Sequence, residues 1–531
     1  MAINTIELKK KFTSYLMKSS EYSDLTVFNI LDFYDHVPIY FFNDIKTIIP
    51  ELFYITSILI LTVYGSLLVV SFNYKYPLLT KNISWLCILV LGFTFLLTFN
   101  NIVDSSPIFT KTFVNDDLSN YSKLIILISS ISCLIISQNY VVNNRINSFE
   151  YYLVILLSIL GLILLVSSYD LLSVYLALEL QSLSFYILAS FKRNSTFSTE
   201  AGLKYFILGA FASGLILFGI SLIYGFTGST NFECLSKLFY SGFSSNIEGI
   251  NSVRIGILFI IVGFLFKLAA APFHVWSPDV YEGSPTSSTA IFAILPKIAI
   301  LVVFTRLFLV SFSNLVGIWQ GILIFSALFS VIIGSFVALK QRKVKKLIAY
   351  SSISHVGYML ISLSTGTFEG CHAVFFYIII YMITGVCLWS IVFSIELEDK
   401  SNSKNITDLS SLVKSNSILA LTASLVLFSL AGVPPLSGFF AKLLIFISAL
   451  ESSLYFLALV GILSSVISTF YYIRIIKIIY FEKINYWNFY KPISQIKSLI
   501  LGCSFFLIII LFYNPNLFIL SSYKMCISIF L

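Results

Sequence analysis

The stretch "FLFKLAAAPFHVW", residues 264–276, carries a lysine, a proline and a histidine inside an apolar run otherwise suited to a membrane. Lys267 stands near the start of this stretch, and Pro272 and His274 follow within two helical turns. A cation in hydrocarbon costs free energy, and proline removes a backbone donor and breaks a helix. The stretch therefore predicts a broken helix that faces water or charged partners inside a membrane.

The rest of the chain has the composition of a membrane protein. Of its 531 residues, 58% are hydrophobic and only 11% are charged, whereas charged residues make up about 25% of a soluble chain. No alternating barrel pattern is present, and apolar runs recur at the length of a membrane-spanning helix. We therefore expect an all-α polytopic membrane protein with about 14 transmembrane helices. The predicted spans are 47–73, 84–103, 121–141, 149–168, 170–191, 202–226, 254–275, 286–310, 315–339, 345–364, 371–395, 416–447, 452–480 and 496–514.

Loop charges predict the orientation of these spans. Alternate loops on one side collect Lys75, Lys81, Arg145, Lys192, Arg193, Lys340, Arg342, Lys343, Lys345 and Lys346. Loops on the other side hold little beyond Lys111, Lys123 and Lys237. The positive-inside rule places the lysine-rich side in the compartment of synthesis, with both termini opposite. The net charge of +8 thus requires no nucleic acid, and no basic groove with interleaved aromatic residues is visible.

The first 46 residues form an N-terminal extension to which the sequence assigns no role. They lack the apolar core and cleavage site of a signal peptide, and their acidic residues and lack of arginine argue against a transit peptide. The seven cysteines are scattered and form no CxxC pair, so neither an iron–sulfur cluster nor a disulfide framework is indicated. No metal site is predicted.

An internal repeat is visible in three pairs of segments. In chain order they are "LELQSLSFYILAS" (178–190) with "YSSISHVGYMLIS" (350–362), "GLKYFILGA" (202–210) with "GCHAVFFYI" (370–378), and "KLAAAPFHVW" (267–276) with "SLAGVPPLSGFFAK" (429–442). The first pair aligns Tyr186 with Tyr358, and the second aligns Lys204 with His372. Finding three matches in the same order supports a duplicated unit.

The paired segments lie five spans apart, and an odd number of spans turns the second unit upside down in the membrane. Inverted repeats with broken helices at mid-membrane are typical of ion-coupled transporters. We interpret Pro272 and Pro434-Pro435 as such breaks, with a packed proline kink as the alternative. The predicted organisation is an extension at 1–46, N-terminal helices at 47–148, a first five-helix repeat at 149–312, a second, inverted repeat at 313–480, and a C-terminal helix and tail at 481–531.

Ionisable residues inside the spans are the candidate functional groups. Each costs about 2.5–3.5 kcal/mol in a membrane, so such residues pair, face water or mark an ion route. The candidates are Glu179, Lys204, Lys267, His274, Lys297, His372 and Lys442. A metal-cation site would have oxygen ligands, and a sugar or amino-acid site would have aromatic and backbone groups. Lysines in a row with one carboxylate at the end instead suit proton translocation.

Several candidates have a structural alternative. Glu179 has no cation within one turn on its helix, so it needs a proton or a partner from another span, and a fixed ion pair is possible. Lys204 lies at a depth that Glu179 could reach, although a snorkelling side chain is the alternative. His274 and His372 could relay protons or be satisfied structural histidines, and His355 extends the same line.

The three deep lysines have fewer alternatives. Lys267 is too deep to reach either surface easily, Lys297 follows Pro296 in the middle of its span, and Lys442 is the second-repeat counterpart. Glu51 and Asp170, at span ends, are interpreted as interface residues. The loop "LKQRKVKKL" (339–347) is interpreted as an orientation signal or a partner contact.

Long motifs also resemble a known family. The stretches are "GFLFKLAAAPFHVWSPDVYEGSPT", "AYSSISHVGYML", "LALELQSLSFY", "STEAGLKYFILGAFASG" and "LAGVPPLSGFFAKLLIF". They closely resemble the antiporter-like membrane subunits of respiratory complex I, the proton-pumping NADH:ubiquinone oxidoreductase, and within them the subunit 2 group in its mitochondrial form. The resemblance covers about 47–531.

The resemblance implies two inverted five-helix bundles and two discontinuous helices, at 254–275 and 416–447. It implies a proton relay in which Glu179 is displaced from Lys204 and a proton passes through Lys267, His274 and Lys297 to Lys442. It further implies neighbouring antiporter-like subunits and membrane lipids as partners, and a location in the mitochondrial inner membrane. NADH, FMN, iron–sulfur clusters and ubiquinone would be bound by other subunits, and this chain would carry no cofactor.

Three other interpretations remain open from the sequence. A subunit of a separate cation/proton antiporter would be active without NADH and would depend on sodium. A plastid-type NDH complex would be fed by ferredoxin. A purely structural scaffold would leave the buried lysines unexplained.

Overall fold

The computed structural model describes residues 44–68, 80–101, 107–144, 146, 148–240, 247–395, 405–482 and 490–530. Twelve of the described helices are long and apolar enough to cross a membrane. The predicted extension at 1–46 lies outside the described residues except for its last three. Contacts within the chain divide it into two units, Met1–Ile49 and Pro50–Leu531.

Helices make up nearly all of the described chain. Up to the first proline break they are α1 (Ile49–Leu68), α2 (Thr80–Phe99), α3 (Asp117–Asn143), α4 (Phe149–Ser167), α5 (Leu171–Ser190), α6 (Thr196–Thr227), α7 (Phe232–Tyr240) and α8 (Ile247–Leu268). After it they are α9 (Trp276–Gly283), α10 (Thr286–Arg306), α11 (Val316–Leu339), α12 (Val344–Leu363), α13 (Phe368–Ser394), α14 (Leu412–Ser415), α15 (Ser417–Ala431), α16 (Ser437–Glu451), α17 (Tyr455–Phe481), α18 (Gln495–Tyr513) and α19 (Asn516–Phe530). A short antiparallel hairpin, β1 (Pro107–Ile108) and β2 (Phe113–Val114), precedes α3. Every predicted span has a helix at its position, so the predicted all-α polytopic fold is confirmed.

Both proline segments interrupt their helices. Residues 269–275 separate α8 from α9, and residues 432–436 separate α15 from α16. Pro272 lies in the first gap and Pro434-Pro435 in the second, and each gap contains a cis X-Pro peptide bond. Proline lacks the backbone donor that would continue the helix, so helical hydrogen bonding stops there. The two discontinuous helices are therefore present, and the packed-kink alternative is wrong.

Local capping explains where several helices begin and end. Asp116 accepts a hydrogen bond from the Ser119 amide at 2.9 Å, which starts α3. Asp170 accepts one from the Leu172 amide at 2.8 Å and starts α5. Asp170 is thus a helix cap, which gives its position at a span end a structural reason. At the other end of a helix, Gly432 adopts φ of +84° and terminates α15.

Glu51 forms a buried ion pair in the first turn of α1, and its interpretation as an interface residue stays a prediction. The Lys123 ammonium donates to its carboxylate at 2.6 Å, and both side chains are almost fully buried. The pair joins α1 to α3. Burial of two charges requires this mutual neutralisation, because a lone buried ion would cost several kcal/mol.

The lysine-rich loop has partners within the chain itself. Lys343 and Lys346 both donate to the Glu282 carboxylate of α9, Lys346 at 3.0 Å, and Lys345 donates to the Ser284 carbonyl at 2.8 Å. Partial burial favours a higher pKa for Glu282, but the hydrogen bonds from the two lysines outweigh it, so the pKa is lowered. These contacts hold α9, directly after the first break, against the start of α12.

Close helix packing recurs in the two predicted repeats. A Cβ atom at Gly161 in α4 would lie 2.8 Å from the Gln181 amide nitrogen of α5. A Cβ atom at Gly334 in α11 would lie 2.7 Å from the Ser354 amide nitrogen of α12. Only glycine permits such an approach. The recurrence supports the duplicated unit, whose boundaries stay a prediction.

Candidate functional site

Lys267 lies in the last turn of α8, immediately before the first break. Its ammonium donates a hydrogen bond to the Tyr186 hydroxyl of α5 at 3.2 Å and lies 5.7 Å from the centre of that ring. Tyr186 packs edge-on against Tyr205, which stacks on Trp276 at 4.7 Å. The Trp276 indole donates to the Phe266 carbonyl at 3.0 Å. Aromatic residues from three helices thus hold the lysine inside the protein.

Glu179 is a carboxylate close enough to Lys267 for the two charges to interact. It lies two turns before Tyr186 on α5. One carboxylate oxygen lies 3.5 Å from the Ser182 hydroxyl. The other is buried and has no hydrogen-bond partner among the described residues. Such an oxygen is a candidate for binding a water molecule.

Lys204 does not pair with Glu179, and that expectation is corrected. Its ammonium lies 2.8 Å from the Glu200 carboxylate and 3.2 Å from Asp279, and its side chain is 44% exposed. Glu200 precedes it by one turn on α6, while Asp279 is carried by α9. Lys346 approaches the other Asp279 oxygen at 3.6 Å. Lys204 therefore belongs to an exposed charge cluster at the lysine-rich face.

Lys297 lies in the middle of α10 and is 5% exposed. Its ammonium donates to the Tyr381 hydroxyl of α13 at 2.9 Å and lies 5.1 Å from that ring centre. The Ser352 carbonyl of α12 accepts a weaker bond at 3.4 Å. The Tyr381 hydroxyl in turn donates to the Ala293 carbonyl at 3.0 Å. Two polar groups therefore hold Lys297, and no carboxylate is among its described contacts.

His355 occupies the position between Lys297 and Lys442. Its ring lies 5.7 Å from the Tyr381 ring, and its Nδ1 is 2.6 Å from the Tyr377 hydroxyl. His355, Tyr377, Tyr381 and Lys442 line one small cavity. Neutral histidine can accept a proton at one nitrogen and donate one at the other. This residue is therefore better placed for relay than its position in the sequence alone indicates.

Lys442 lies after the second helix break, whereas Lys267 lies before the first. Its ammonium donates to the Ala431 carbonyl, freed at the end of α15, at 2.7 Å. It also lies 5.3 Å from the centre of the Tyr358 ring. Tyr358 aligns with Tyr186 in the repeat, so in both units a tyrosine of matching position covers the lysine of the broken helix. This shared geometry supports equivalent roles for the two lysines.

The two other candidate histidines, His274 and His372, lie at the margins of this arrangement. His274 lies within the first break, with its ring 6.5 Å from Tyr350 and its Nδ1 buried without a partner among the described residues. His372 stacks on Tyr523 of α19 at 4.0 Å. Its described contacts do not include the lysines, so the structure does not bring His372 into the central group.

The buried tyrosines are the site residues that sequence reasoning missed. Tyr381 and Tyr377 supply hydroxyl groups between Lys297, His355 and Lys442. The signal available was tyrosine within apolar spans, since a buried hydroxyl needs a polar partner. The chain contains 31 tyrosines, which made that signal too common to rank. In the described ranges, no group of His, Cys, Asp and Glu side chains is placed to hold a metal ion.

Replacing Gly432 with alanine is expected to displace Lys442. A Cβ atom there would lie 2.8 Å from the Lys442 side chain, and φ of +84° is unfavourable for alanine. We expect a loss of about 1–2 kcal/mol in the free energy of unfolding, because the lysine must shift and the backbone is strained. The thermal midpoint of the purified protein measures the effect. Gly92→Ala, where a Cβ atom meets open space, is the matched control, and equal behaviour of the two variants contradicts the prediction.

Comparison with known proteins identifies the family. A profile of the family described as "NADH:quinone oxidoreductase/Mrp antiporter, TM" matches residues 168–468. The chain is 45% identical over 496 residues to NADH-ubiquinone oxidoreductase chain 2 of Marchantia polymorpha, covering 92% of this chain and 99% of that protein. It is 44% identical over 442 residues to NADH-quinone oxidoreductase subunit N of Pelagibacter ubique, covering 83% and 90% of the two chains.

Solved structures share the fold. A chain of respiratory complex I from Thermus thermophilus has a TM-score of 0.73 at 27% identity, covering 88% of this chain and 98% of that one. A chain of the Mrp complex from Dietzia has a TM-score of 0.78 at 20% identity, covering 92% and 98%, which shows a common fold alone. The profile match and the long alignments together show that this chain belongs to the NADH:quinone oxidoreductase/Mrp antiporter family, in the branch formed by chain 2 and subunit N of NADH:quinone oxidoreductase.

Proposed function

We propose that this chain translocates protons across the mitochondrial inner membrane as a subunit of NADH:ubiquinone oxidoreductase, through a relay of buried side chains. The observation that carries the proposal is the repeated pairing of a buried lysine with a tyrosine. Lys267, Lys297 and Lys442 each lie within 6 Å of a tyrosine ring inside the spans. Ammonium groups retained at this depth, without an ion-pair partner among the described residues, are typical of a proton route.

The route runs from the first break to the second. Lys267 is the first deep group, and Glu179 sets its electrostatic environment. A proton released by Lys267 passes through the break that contains His274 and reaches Lys297. No described hydrogen bond joins the two lysines, so water molecules must bridge this part of the route. From Lys297, Tyr381 and the His355 cavity lead to Lys442. His372 is left outside this route because its ring stacks on Tyr523.

Lys204 acts at the entrance and not as the partner of Glu179. Its cluster with Asp279 and Lys346 is exposed at the lysine-rich face, next to α9. Rearrangement of these ion pairs would move α9 and thereby the first break. Quinone reduction elsewhere in the complex would drive the cycle by changing the electrostatic potential at Glu179. This chain's own residues hold and pass protons, and the redox groups belong to other subunits.

The relatives and the loop charges support the proposed location and orientation of this chain. Neighbouring antiporter-like membrane subunits are the proposed protein partners, because the relatives are each named as one chain or subunit of a larger oxidoreductase. The lysine-rich loops face the matrix, and both termini face the intermembrane space. The two inverted repeats occupy 149–312 and 313–480. The high identity to oxidoreductase chains favours this function over a separate sodium-dependent antiporter.

Changing Lys297 to methionine tests the proposal. Methionine keeps the length and apolar bulk of the side chain but removes the proton-carrying amine. In the assembled complex reconstituted into vesicles, we expect the proton-pumping rate to fall at least about tenfold, since a lost proton-transfer group costs about 100-fold at the transfer step. The control is Lys477→Gln, which replaces an exposed lysine of α17. The complex with this variant should pump normally. Normal pumping by the Lys297 variant would exclude this residue as a carrier.

A further inference from the structure

A cavity lined by lysines opens at the lysine-rich face, away from the relay. Its volume is about 220 Å³, and it lies where α2 begins, where α3 and α13 end, and where α18 begins. Lys81, Lys491 and Lys497 line it, and no acidic side chain is among its lining within the described ranges. Positive charge concentrated in a concave surface attracts an anion.

The start of α18 adds further donors to the cavity wall. Ser494 precedes the helix without forming a side-chain cap, so amides of the first turn remain available. Lys497 is 6% exposed and donates to the Phe393 carbonyl of α13 at 3.1 Å, which fixes the inner wall. Phosphate commonly binds where free backbone amides at the start of a helix lie beside lysine ammonium groups.

Exposed apolar side chains lie on the three helices α2, α3 and α18 that border the cavity. Trp85 lies one turn beyond Lys81 on α2 and is exposed, as tryptophans at membrane interfaces commonly are. On α3, Val142 borders the cavity, and Ile128 lies four turns away on the same face, each 46% exposed. Leu499 of α18 is 64% exposed. A phosphate site that borders apolar helix faces fits a lipid better than a free ion.

We propose that this cavity binds the phosphate of an anionic phospholipid whose acyl chains lie along α2, α3 and α18. Lys81 and Lys491 pair with the phosphate oxygens, and the first turn of α18 closes the site from the inside. The lipid thereby joins the N-terminal helices to the C-terminal helix at one membrane surface. The proposal is independent of the proton relay, because no relay residue lines the cavity.

Photo-crosslinking of the purified complex tests the site. The probe is phosphatidylglycerol with a diazirine in one acyl chain, titrated into nanodiscs of phosphatidylcholine, and labelled peptides are mapped by mass spectrometry. We expect labelling on α3 and α18, and an about 25-fold lower apparent affinity in the Lys81→Gln/Lys491→Gln double variant, corresponding to about 1 kcal/mol per lysine. Lys477→Gln, which removes an exposed lysine outside the cavity, should label as the unchanged protein does.

Each other outcome overturns the assignment. Equal labelling of the double variant, or equal labelling by a phosphatidylcholine probe, shows that the lysines do not select the headgroup. Complete displacement of the probe by inorganic phosphate assigns the cavity to a free anion. Labelling of a neighbouring subunit's peptides in place of α3 and α18 shows that a protein covers it. If the double variant fails to assemble, Lys491→Gln alone carries the test, with an expected fall of about fivefold.

Discussion

Replacing Lys267 with alanine in the assembled complex is expected to lower both quinone reduction and proton pumping about a hundredfold, because a group that transfers a proton is lost. The ammonium is held by the Tyr186 hydroxyl at 3.2 Å, within reach of the Glu179 charge. Alanine leaves an apolar gap beside the Tyr186 hydroxyl and the buried carboxylate oxygen of Glu179. Proton uptake into the first break then has no basic group to receive it. NADH-driven quinone reduction and dye-reported acidification of vesicles measure the two rates.

Two further variants separate chemistry from packing at this position. Tyr186→Phe removes the hydroxyl but keeps the ring 5.7 Å from the ammonium, so its effect should be limited to the hydrogen bond, a few-fold at most. Lys267→Met keeps the bulk of the side chain but not the amine, and should fail as fully as alanine. Normal rates in both Lys267 variants, in complex that assembles in normal amounts, would remove this lysine from the proposed relay.

The broken helices and the deep lysines were predictable from the sequence because each violates a strong rule. Proline within an apolar run forces a helix to stop, and an amine in hydrocarbon demands a polar surrounding. These constraints act locally, so "FLFKLAAAPFHVW" was sufficient to predict the break at Pro272. Lys297 and Lys442 were located by the same reasoning and lie as deep as expected, each beside a tyrosine.

The partners of the charges were not predictable in the same way. Lys204 had Glu179 as the attractive choice, yet it pairs with Glu200 on its own helix and with Asp279, 75 positions later. Which carboxylate a lysine meets depends on how helices rotate about their axes, and a sequence without strong amphipathic faces does not fix that rotation. The lysine-rich loop gave the same difficulty, since an orientation signal and an ion-pair partner for Glu282 look alike in sequence.

Replacing Arg306 with leucine is expected to destabilise the folded chain by about 3–5 kcal/mol, because it breaks a buried ion pair and strands one partner. Arg306, at the end of α10, is 2% exposed and binds both oxygens of Asp116 at 2.7 Å. Its other terminal nitrogen donates to the Val166 and Ser168 carbonyls at 3.2 Å. One side chain therefore ties α10 to the start of α3 and to the end of α4. The amount of assembled complex on native gels and its thermal midpoint should both fall sharply.

Three comparisons show whether the lost ion pair is the cause. Arg306→Lys keeps a charge but not the two-pronged geometry, and should recover only part of the stability. Adding Asp116→Asn to the leucine variant removes the stranded charge and should also recover part of it. Lys111→Gln, which breaks a partly exposed pair with Glu233, should leave the thermal midpoint almost unchanged. Normal assembly of Arg306→Leu would mean that helix packing alone holds α3, α4 and α10 together.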